Sequence, residues 1–363
     1  DSIGYIKTRS FTRNISKEVI DAFKDMKANS GLKGLVLDLR GNPGGLLNEA
    51  ISMANIFINR GQEIVYTKGK NKDWDKSYKA RYEATDTEIP LAVLINRSSA
   101  SASEIVSGAI QDLDRGIVIG QRSFGKGLVQ QTRKLSYNAQ MKVTTAKYYI
   151  PSGRCIQALD YSSRDDDGSV GIVPDSLRTE FRTLNNKRSV FDGGGITPDI
   201  SIEPGKFSNI LKSLLSKRHI FNFANIYSRN NESIVDAKSF LISDDIYSEF
   251  KQYLDDKDYE YETKTEKAIK KLEKDAEGEK YIGELKDELE LLSAKMEESK
   301  NNDIERFKNE ISELLEMEIV TRYYYQKGKI EATLKHDQEI LKAIEVLNNI
   351  SLYDAILRGD TIQ

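Results

Sequence analysis

I-N-R-S-S-A-S-A-S-E-I-V-S-G-A, from Ile95 to Ala109, runs on through D-R-G-I-V-I-G (114–120) to S-F-G-K-G-L-V-Q (123–130). Leu91 to Ile95, just before it, is a short unbroken apolar run, the pattern of a strand buried on both faces. Glu104 to Asp112 carries Ile105, Val106, Ala109 and Ile110 at helical spacing. The small residues Ser98 to Ser103 therefore occupy a strand-to-helix turn. There a side chain projects over the sheet edge, and the unbonded N–H groups of the helix start face an anion. Gly116 to Gly120 reads as the next strand, and Lys126 follows between two glycines. The order strand, helix, strand makes this an α/β chain built of βαβ units.

A serine on such a turn needs a base. The chain has only two histidines, His219 and His336, both far downstream in a region of different composition. A Ser-His-Asp arrangement would need that region to fold back over the turn. A lysine serves instead when desolvation or a cationic neighbour keeps its amine neutral. Lys126, beside Phe124 and next to a buried strand, is the natural candidate, although a lysine in a G-K-G loop ordinarily just points into water.

Working outward, Gly4–Phe11 reads as a first strand. Asn14–Asn29 reads as a helix with Val19, Ile20, Phe23 and Met26 as its stripe and Ser16 as N-cap. Gly34–Leu39 is a further strand, and Gly41, Pro43, Gly44 and Gly45 turn it into a helix carrying Leu46, Leu47, Ala50, Ile51, Ala54 and Phe57. That turn could hold an anion on its N–H groups. It is neither G-x-G-x-x-G nor G-x-x-x-x-G-K-[ST], so a dinucleotide or phosphate role is the weaker reading. Asp38 and Arg40, two apart on one strand, share a face and brace the turn as an ion pair. Arg60–Glu88, with the only tryptophan, Trp74, reads as an exposed loop or hairpin, and Met141–Ile150 as a strand. Tyr161–Gly171 reads as a mobile surface loop whose run Asp165–Asp167 lacks the ligand spacing of a calcium loop. Cys155, the single cysteine, excludes an internal disulfide and reads as an unreactive thiol.

Several of these motifs belong together. S-A-S-A-S-E-I (99–105) and F-G-K-G-x-V-Q (124–130) occur with L-D-L-R-G-N-P-G-G (37–45) and G-Y-I-K (4–7). Y-Y-I-P-S-G-R (148–154) and G-G-G-I-T-P-D (193–199) complete the set, which spans about the first 200 residues. The set resembles the C-terminal processing peptidases, or tail-specific proteases, serine peptidases that use a Ser–Lys dyad. The resemblance implies a crotonase-like (ClpP-like) core. It implies Ser101 as nucleophile, Lys126 as base and Gln130 as the residue orienting Lys126, two positions that would share a strand face. It assigns the oxyanion hole to the N–H groups of Gly44, with Gly45 the nearest alternative, and Ala102. Asp38, Arg40 and Glu104 fall on positions that support activity. Glu104 also suits a helix start electrostatically. No metal or organic cofactor is implied. The family places a PDZ domain before the G-Y-I strand, whereas this chain starts at that strand, at Asp1 without methionine, as a processed or cut form would.

With 363 residues, the chain has room for more than one domain: an expected peptidase core over 1–204 and a mainly helical domain over 205–363. Past Pro204, lysine and glutamate dominate. Ile269, Leu272, Leu285, Leu289, Leu292 and Met296 keep helical spacing, continued by Leu314, Leu315 and Ile319, as the core or dimer seam of a helical bundle. Tyr323, Tyr324 and Tyr325 read as packing residues. A net charge of −3 supplies no nucleic-acid footprint, and no apolar run reaches the roughly 20 residues of a membrane span. The expected function is a serine endopeptidase acting near the C-terminus of protein or peptide substrates, in the periplasm or envelope by resemblance. A homo-oligomer through the helical domain is left open. The alternatives are a non-catalytic peptide-binding or scaffold protein and, more weakly, acyl-thioester chemistry on the same type of fold.

Overall fold

The computed structural model describes residues 3–164 and 170–360. In chain order the first part contains β1 (Ile3–Lys7), α1 (Ile15–Ser30), β2 (Gly34–Asp38), α2 (Leu47–Ala54), β3 (Glu63–Gly69) and β4 (Lys76–Lys79). It continues with β5 (Leu91–Ile95), α3 (Ala102–Asp112), β6 (Ile117–Gly120), β7 (Leu128–Lys134) and β8 (Gln140–Tyr149). Two short hairpins follow, β9 (Leu159–Arg164) with β10 (Val170–Ile172) and β11 (Glu180–Arg182) with β12 (Ser189–Phe191), and then β13 (Ile200–Ser201). The stretch expected to be a loop from Tyr161 is thus in part a hairpin, while Asp165–Asp167 lie outside the described residues.

The central sheet has the order β1-β2-β5-β6-β13, and every neighbouring pair is parallel. All residues of β2 and β5 are buried, which a strand can be only if both faces of its sheet are covered. One face, with Leu35, Leu37, Leu91, Val93 and Ile95, joins the core formed with Val19 and Phe23 of α1, Met53 of α2 and Ile105 of α3. A second, antiparallel sheet, β4-β3-β8-β7, carries Ile64 and Val65 into the same core, so the polar Arg60–Glu88 region is a hairpin.

Val36, Ala92, Leu94, Ile117 and Ile119 face the other way and are equally buried. Their cover comes from the end of the chain. Helices α4 (Asn209–Ser216), α5 (His219–Asn230), α6 (Asp244–Leu254), α7 (Lys264–Glu279), α8 (Ile282–Asn301), α9 (Asp303–Arg306) and α10 (Lys308–Thr333) intervene, and α11 (Gln338–Asn348) and α12 (Ile350–Arg358) then lie against the sheet. The two compact units are accordingly Asp1–Pro204 with Gln338–Gln363, and Gly205–Asp337. The helical domain expected to run to residue 363 is shorter than that. Ile340, Ala343, Val346 and Leu347 are buried on α11. The three larger of them contribute roughly 1.5–3 kcal/mol each by leaving water, which favours capping the sheet.

The second unit packs around its own aromatic cluster, in which Phe223 meets Phe250 edge-on at 5.1 Å between ring centres. Leu315 and Ile319 are in that core. Along α7 and α8 the expected apolar stripe is buried at Leu289, while Leu272, Leu285 and Leu292 are exposed. Tyr323 and Tyr324 donate their hydroxyls to the carbonyls of Asn231 and Ile234, whereas Tyr325 is exposed at φ 54°. Among the described residues no helix is long and apolar enough to cross a membrane.

Helix α1 departs from its expected start. Asn14 is left-handed at φ 71°, and Ser16 does not cap; its N–H and hydroxyl, with the Asn14 N–H, all donate to the carboxylate of Glu49 on α2. A capping residue from a neighbouring helix replaces the local one.

Candidate active site

The parallel strands β2, β5 and β6 end side by side, and open α/β sheets place their sites at such carboxyl ends. After β5, Ser99 donates its hydroxyl to the Leu39 carbonyl at 2.8 Å, tying its turn to the end of β2. Ser101 then adopts φ 55°, ψ −109° immediately before α3. A serine with this backbone carries strain of roughly 1–3 kcal/mol, retained only where the surroundings impose it.

Two segments impose it. The first is the Gly41–Gly45 turn. Asn42 is fully buried; its carbonyl accepts from the Ala100 N–H at 3.0 Å and the Ser103 hydroxyl at 2.9 Å, while its Nδ2 donates to the Thr8 carbonyl at 3.0 Å. Gly44, at φ 101°, lies so close to the serine turn that a Cβ there would stand 2.7 Å from the Ala100 carbonyl oxygen and 2.9 Å from Ser101 Cβ. Only glycine permits this approach.

The second is Glu104. It is fully buried on the first turn of α3 and accepts four hydrogen bonds. Oε2 takes the N–H groups of Ser101 and Lys126, each at 2.8 Å. Oε1 takes the Ser123 hydroxyl at 2.6 Å and the Gly125 N–H at 2.7 Å. One carboxylate thus fastens the backbone of the serine turn to the backbone of the lysine loop. Burial pushes its carboxyl above the usual range, and the four donors only partly offset this.

The lysine loop is held from its other side as well. Gln157 accepts the Gly127 N–H at 2.8 Å, and Ala158 N–H donates to the Gly125 carbonyl at 3.0 Å. Cβ atoms at Gly125 or Gly127 would collide with Ala158 and Gln157, which explains the glycines on both sides of Lys126. Ser123 passes the restraint on, accepting the Ile196 N–H at 2.7 Å.

The side chains depart from the sequence-based expectation at three points. Lys126 is solvent-exposed, not sheltered, and among the described residues no hydrogen bond joins its amine to Ser101 Oγ. Gln130 does not share a continuous strand face with it: Lys126 precedes β7, and a bulge between Val129 and Gln130 breaks the alternation. Gln130 is likewise exposed. The Gly44 N–H is already donated to Asn42 Oδ1 at 2.9 Å. The N–H groups of Gly45 and Ala102 have no acceptor among the described residues and flank the same turn.

Asp38 and Arg40 form an ion pair at the end of β2, with the guanidinium reaching both carboxylate oxygens at 2.8 and 3.0 Å. Tyr5 and Lys7 also donate to Asp38, and Arg40 reaches Glu339 of α11 at 3.0 Å. Burial alone would raise the Asp38 pKa, but Arg40, Lys7 and Tyr5 outweigh it and hold the carboxyl below its usual range. Cys155 is half-buried, and burial pushes its thiol up, away from nucleophile chemistry. Both histidines are engaged in the second unit, His219 with the Asp258 carbonyl and His336 with Glu316.

Asn42, Ser123 and Gln157 went unnoticed in the sequence. Asn42 had a signal, sitting inside a glycine turn that must be pinned; Gln157 reaches Gly127 only through tertiary folding.

Residues 2–176, which contain the serine turn, the glycine turn and the lysine loop, match peptidase family S41, and residues 210–347 match the helical domain described as "Probable PDZ-protease, C-terminal helical domain". The α/β part of the chain is therefore similar to peptidase family S41. Among its relatives is the carboxy-terminal-processing protease of Bartonella bacilliformis, 44% identical over 176 residues, which are 48% of this chain and 38% of the relative. The carboxyl-terminal-processing protease of Synechocystis is 40% identical over 176 residues, again 48% of this chain and 38% of the relative. Among solved structures, the photosystem II D1 C-terminal processing protease aligns at 30% identity and TM-score 0.43, covering 56% of this chain and 42% of that one. The chain thus spans well under half the length of these relatives.

Proposed function

We propose that this chain is the hydrolytic part of a serine endopeptidase that cleaves protein substrates near their C-terminus. The observation that carries the reading is the buried Glu104, which binds the Ser101 turn and the Lys126 loop into one rigid body. Such preorganisation is costly and suits two groups that must meet reproducibly. In this reading Ser101 Oγ attacks the scissile carbonyl and the neutral Lys126 amine removes its proton. The N–H groups of Ala102 and Gly45 face the developing oxyanion, in place of the occupied Gly44 N–H. The acyl-enzyme then hydrolyses as Lys126 activates water. Lys126 is exposed here, so the bound substrate itself must cover and desolvate it, and Gln130 is free to turn toward it at that stage.

The parts beyond the site follow the same reading. The first unit is the peptidase core and the second a helical domain for packing or dimerisation, acting on proteins or peptides in the periplasm or cell envelope. A competing reading, a peptide-binding scaffold without turnover, draws on the exposed Lys126 with no bond to Ser101. Degradation of an unfolded protein substrate separates them. The parent chain is expected to degrade it, and Ser101→Ala and Lys126→Ala to lose at least a hundredfold in rate. Equal rates in all three would remove the dyad; binding without turnover by the parent would favour the scaffold.

A further inference from the structure

The segment between β1 and α1 reaches across to the glycine turn that flanks Ser101. The Gly44 carbonyl accepts two hydrogen bonds from it, the Phe11 N–H at 3.0 Å and the Ser10 hydroxyl at 3.0 Å. The Leu46 N–H returns a bond to the Phe11 carbonyl at 2.8 Å, so Phe11 and Gly45 form an isolated parallel bridge. The approach is close: a Cβ at Gly45 would stand 2.4 Å from the Phe11 carbonyl oxygen. Phe11 is itself fixed in the core, with 1% of its surface exposed.

This pairing decides where the Gly45 N–H points. In a parallel ladder the neighbours of a bridged residue, here Gly44 and Leu46, make the bonds to the partner strand, and the residue's own N–H and carbonyl face the other side. Planarity of the Gly44–Gly45 peptide gives the same answer, because a trans peptide sets its N–H antiparallel to its carbonyl. The carbonyl is held toward Ser10 and Phe11, so the N–H is turned away from them. Gly44, from which this peptide starts, lies against the serine turn, where a Cβ would stand 2.9 Å from the Ala102 nitrogen.

We propose that Ser10 is a positioning residue for the oxyanion hole. Its hydroxyl, together with the Phe11 N–H, locks the Gly44 carbonyl and so aims the Gly45 N–H at the oxygen of the attacked carbonyl. The proposal rests on the peptidase reading. In the step concerned, Ser101 Oγ bonds to the carbonyl carbon, its proton passes to the Lys126 amine and the π pair moves onto the carbonyl oxygen. A donor fixed beforehand needs no reorganisation as that charge appears. Without the Ser10 hydroxyl one bond still holds the Gly44 carbonyl, so the peptide is loosened, not released.

Steady-state cleavage of a fluorogenic peptide by the full chain tests it, with Ser10→Ala, the near-isosteric pair Ser10→Val and Ser10→Thr, and Ser101→Ala as the blank. Trp74 fluorescence in urea confirms that each variant is folded under assay conditions. Ser10→Ala and Ser10→Val are expected to lower kcat about tenfold at an unchanged KM, the upper scale for one hydrogen bond made in the transition state. Ser10→Thr keeps the hydroxyl and should match the parent. A peptide aldehyde, whose adduct with Ser101 places its oxygen in the hole, should bind Ser10→Ala about tenfold more weakly. The uncleaved substrate peptide, followed by fluorescence anisotropy in the Ser101→Ala background, should bind equally with and without Ser10→Ala. An unchanged kcat in Ser10→Ala, a Ser10→Thr as slow as Ser10→Val, or equal losses of aldehyde and substrate affinity would overturn the positioning role. Each of these leaves the peptidase reading standing, because the parent still outpaces Ser101→Ala. A parent no faster than Ser101→Ala overturns the peptidase reading and the positioning role with it.

Discussion

Replacing Glu104 by glutamine is the sharpest perturbation of this site, because it changes charge and one acceptor while leaving shape nearly intact. Each carboxylate oxygen accepts two donors: Ser101 and Lys126 N–H on Oε2, Ser123 hydroxyl and Gly125 N–H on Oε1. The glutamine NH₂ must take one of these places. If it replaces Oε2, two backbone N–H groups face a donor. If it replaces Oε1, Ser123 can turn its hydroxyl round and accept from the NH₂ as well as from the Ile196 N–H, but its own O–H then loses this acceptor and the Gly125 N–H is stranded. At least one buried N–H therefore loses its partner and the surviving bonds lose their charge, which together costs about 2–4 kcal/mol. Burial of the ionised carboxyl, now relieved, offsets part of this and keeps the figure from being larger. Trp74, the only tryptophan, lies in the first unit, so its fluorescence during urea unfolding reports that unit selectively. The expected result is a lower midpoint with an unchanged slope, corresponding to that loss. A stability within 1 kcal/mol of the parent would show that the four bonds contribute little and that Glu104 does not hold the two segments together.

Two further outcomes follow from the same structure. Tyr353 of α12 accepts the Leu91 N–H at 3.0 Å in a buried setting, so Tyr353→Phe should destabilise the first unit by about 1–3 kcal/mol in the same urea assay, and an unchanged midpoint would count against that bond. Asp38 has a folded pKa below its unfolded one, so its contribution is fully present above the ordinary aspartate value of about 3.9 and fades as pH falls through the folded value. Asp38→Asn should accordingly flatten the acid limb of a stability–pH curve measured by Trp74 fluorescence, and an unchanged limb would count against the ion cluster.

Local sequence carried much of this molecule. The unbroken apolar run at Leu91–Ile95 announced a strand buried on two faces, because no polar side was left for water, and Gly34–Leu39 was legible as a further strand. The serine turn, the glycine turn after Leu39 and the G-K-G loop were legible for the same reason: glycine and small residues mark where backbone must bend or approach closely. Less legible were features whose partner is remote in sequence. Ser16 looks like a cap until Glu49 arrives, and Lys126 and Gln130 look coplanar until a bulge intervenes.

From the sequence alone came the α/β order, four of the parallel sheet's five strands and the placing of a serine turn between a strand and the next helix, since each depends on patterns within a few residues. Tertiary structure alone decided that the last two helices return to cover the sheet, that Asn42 occupies the Gly44 N–H, and that one buried carboxylate joins the serine and lysine segments. Those outcomes turn on which buried donor meets which acceptor, and on which apolar face is left open once the rest has packed. Neither is a property of any single segment of the chain.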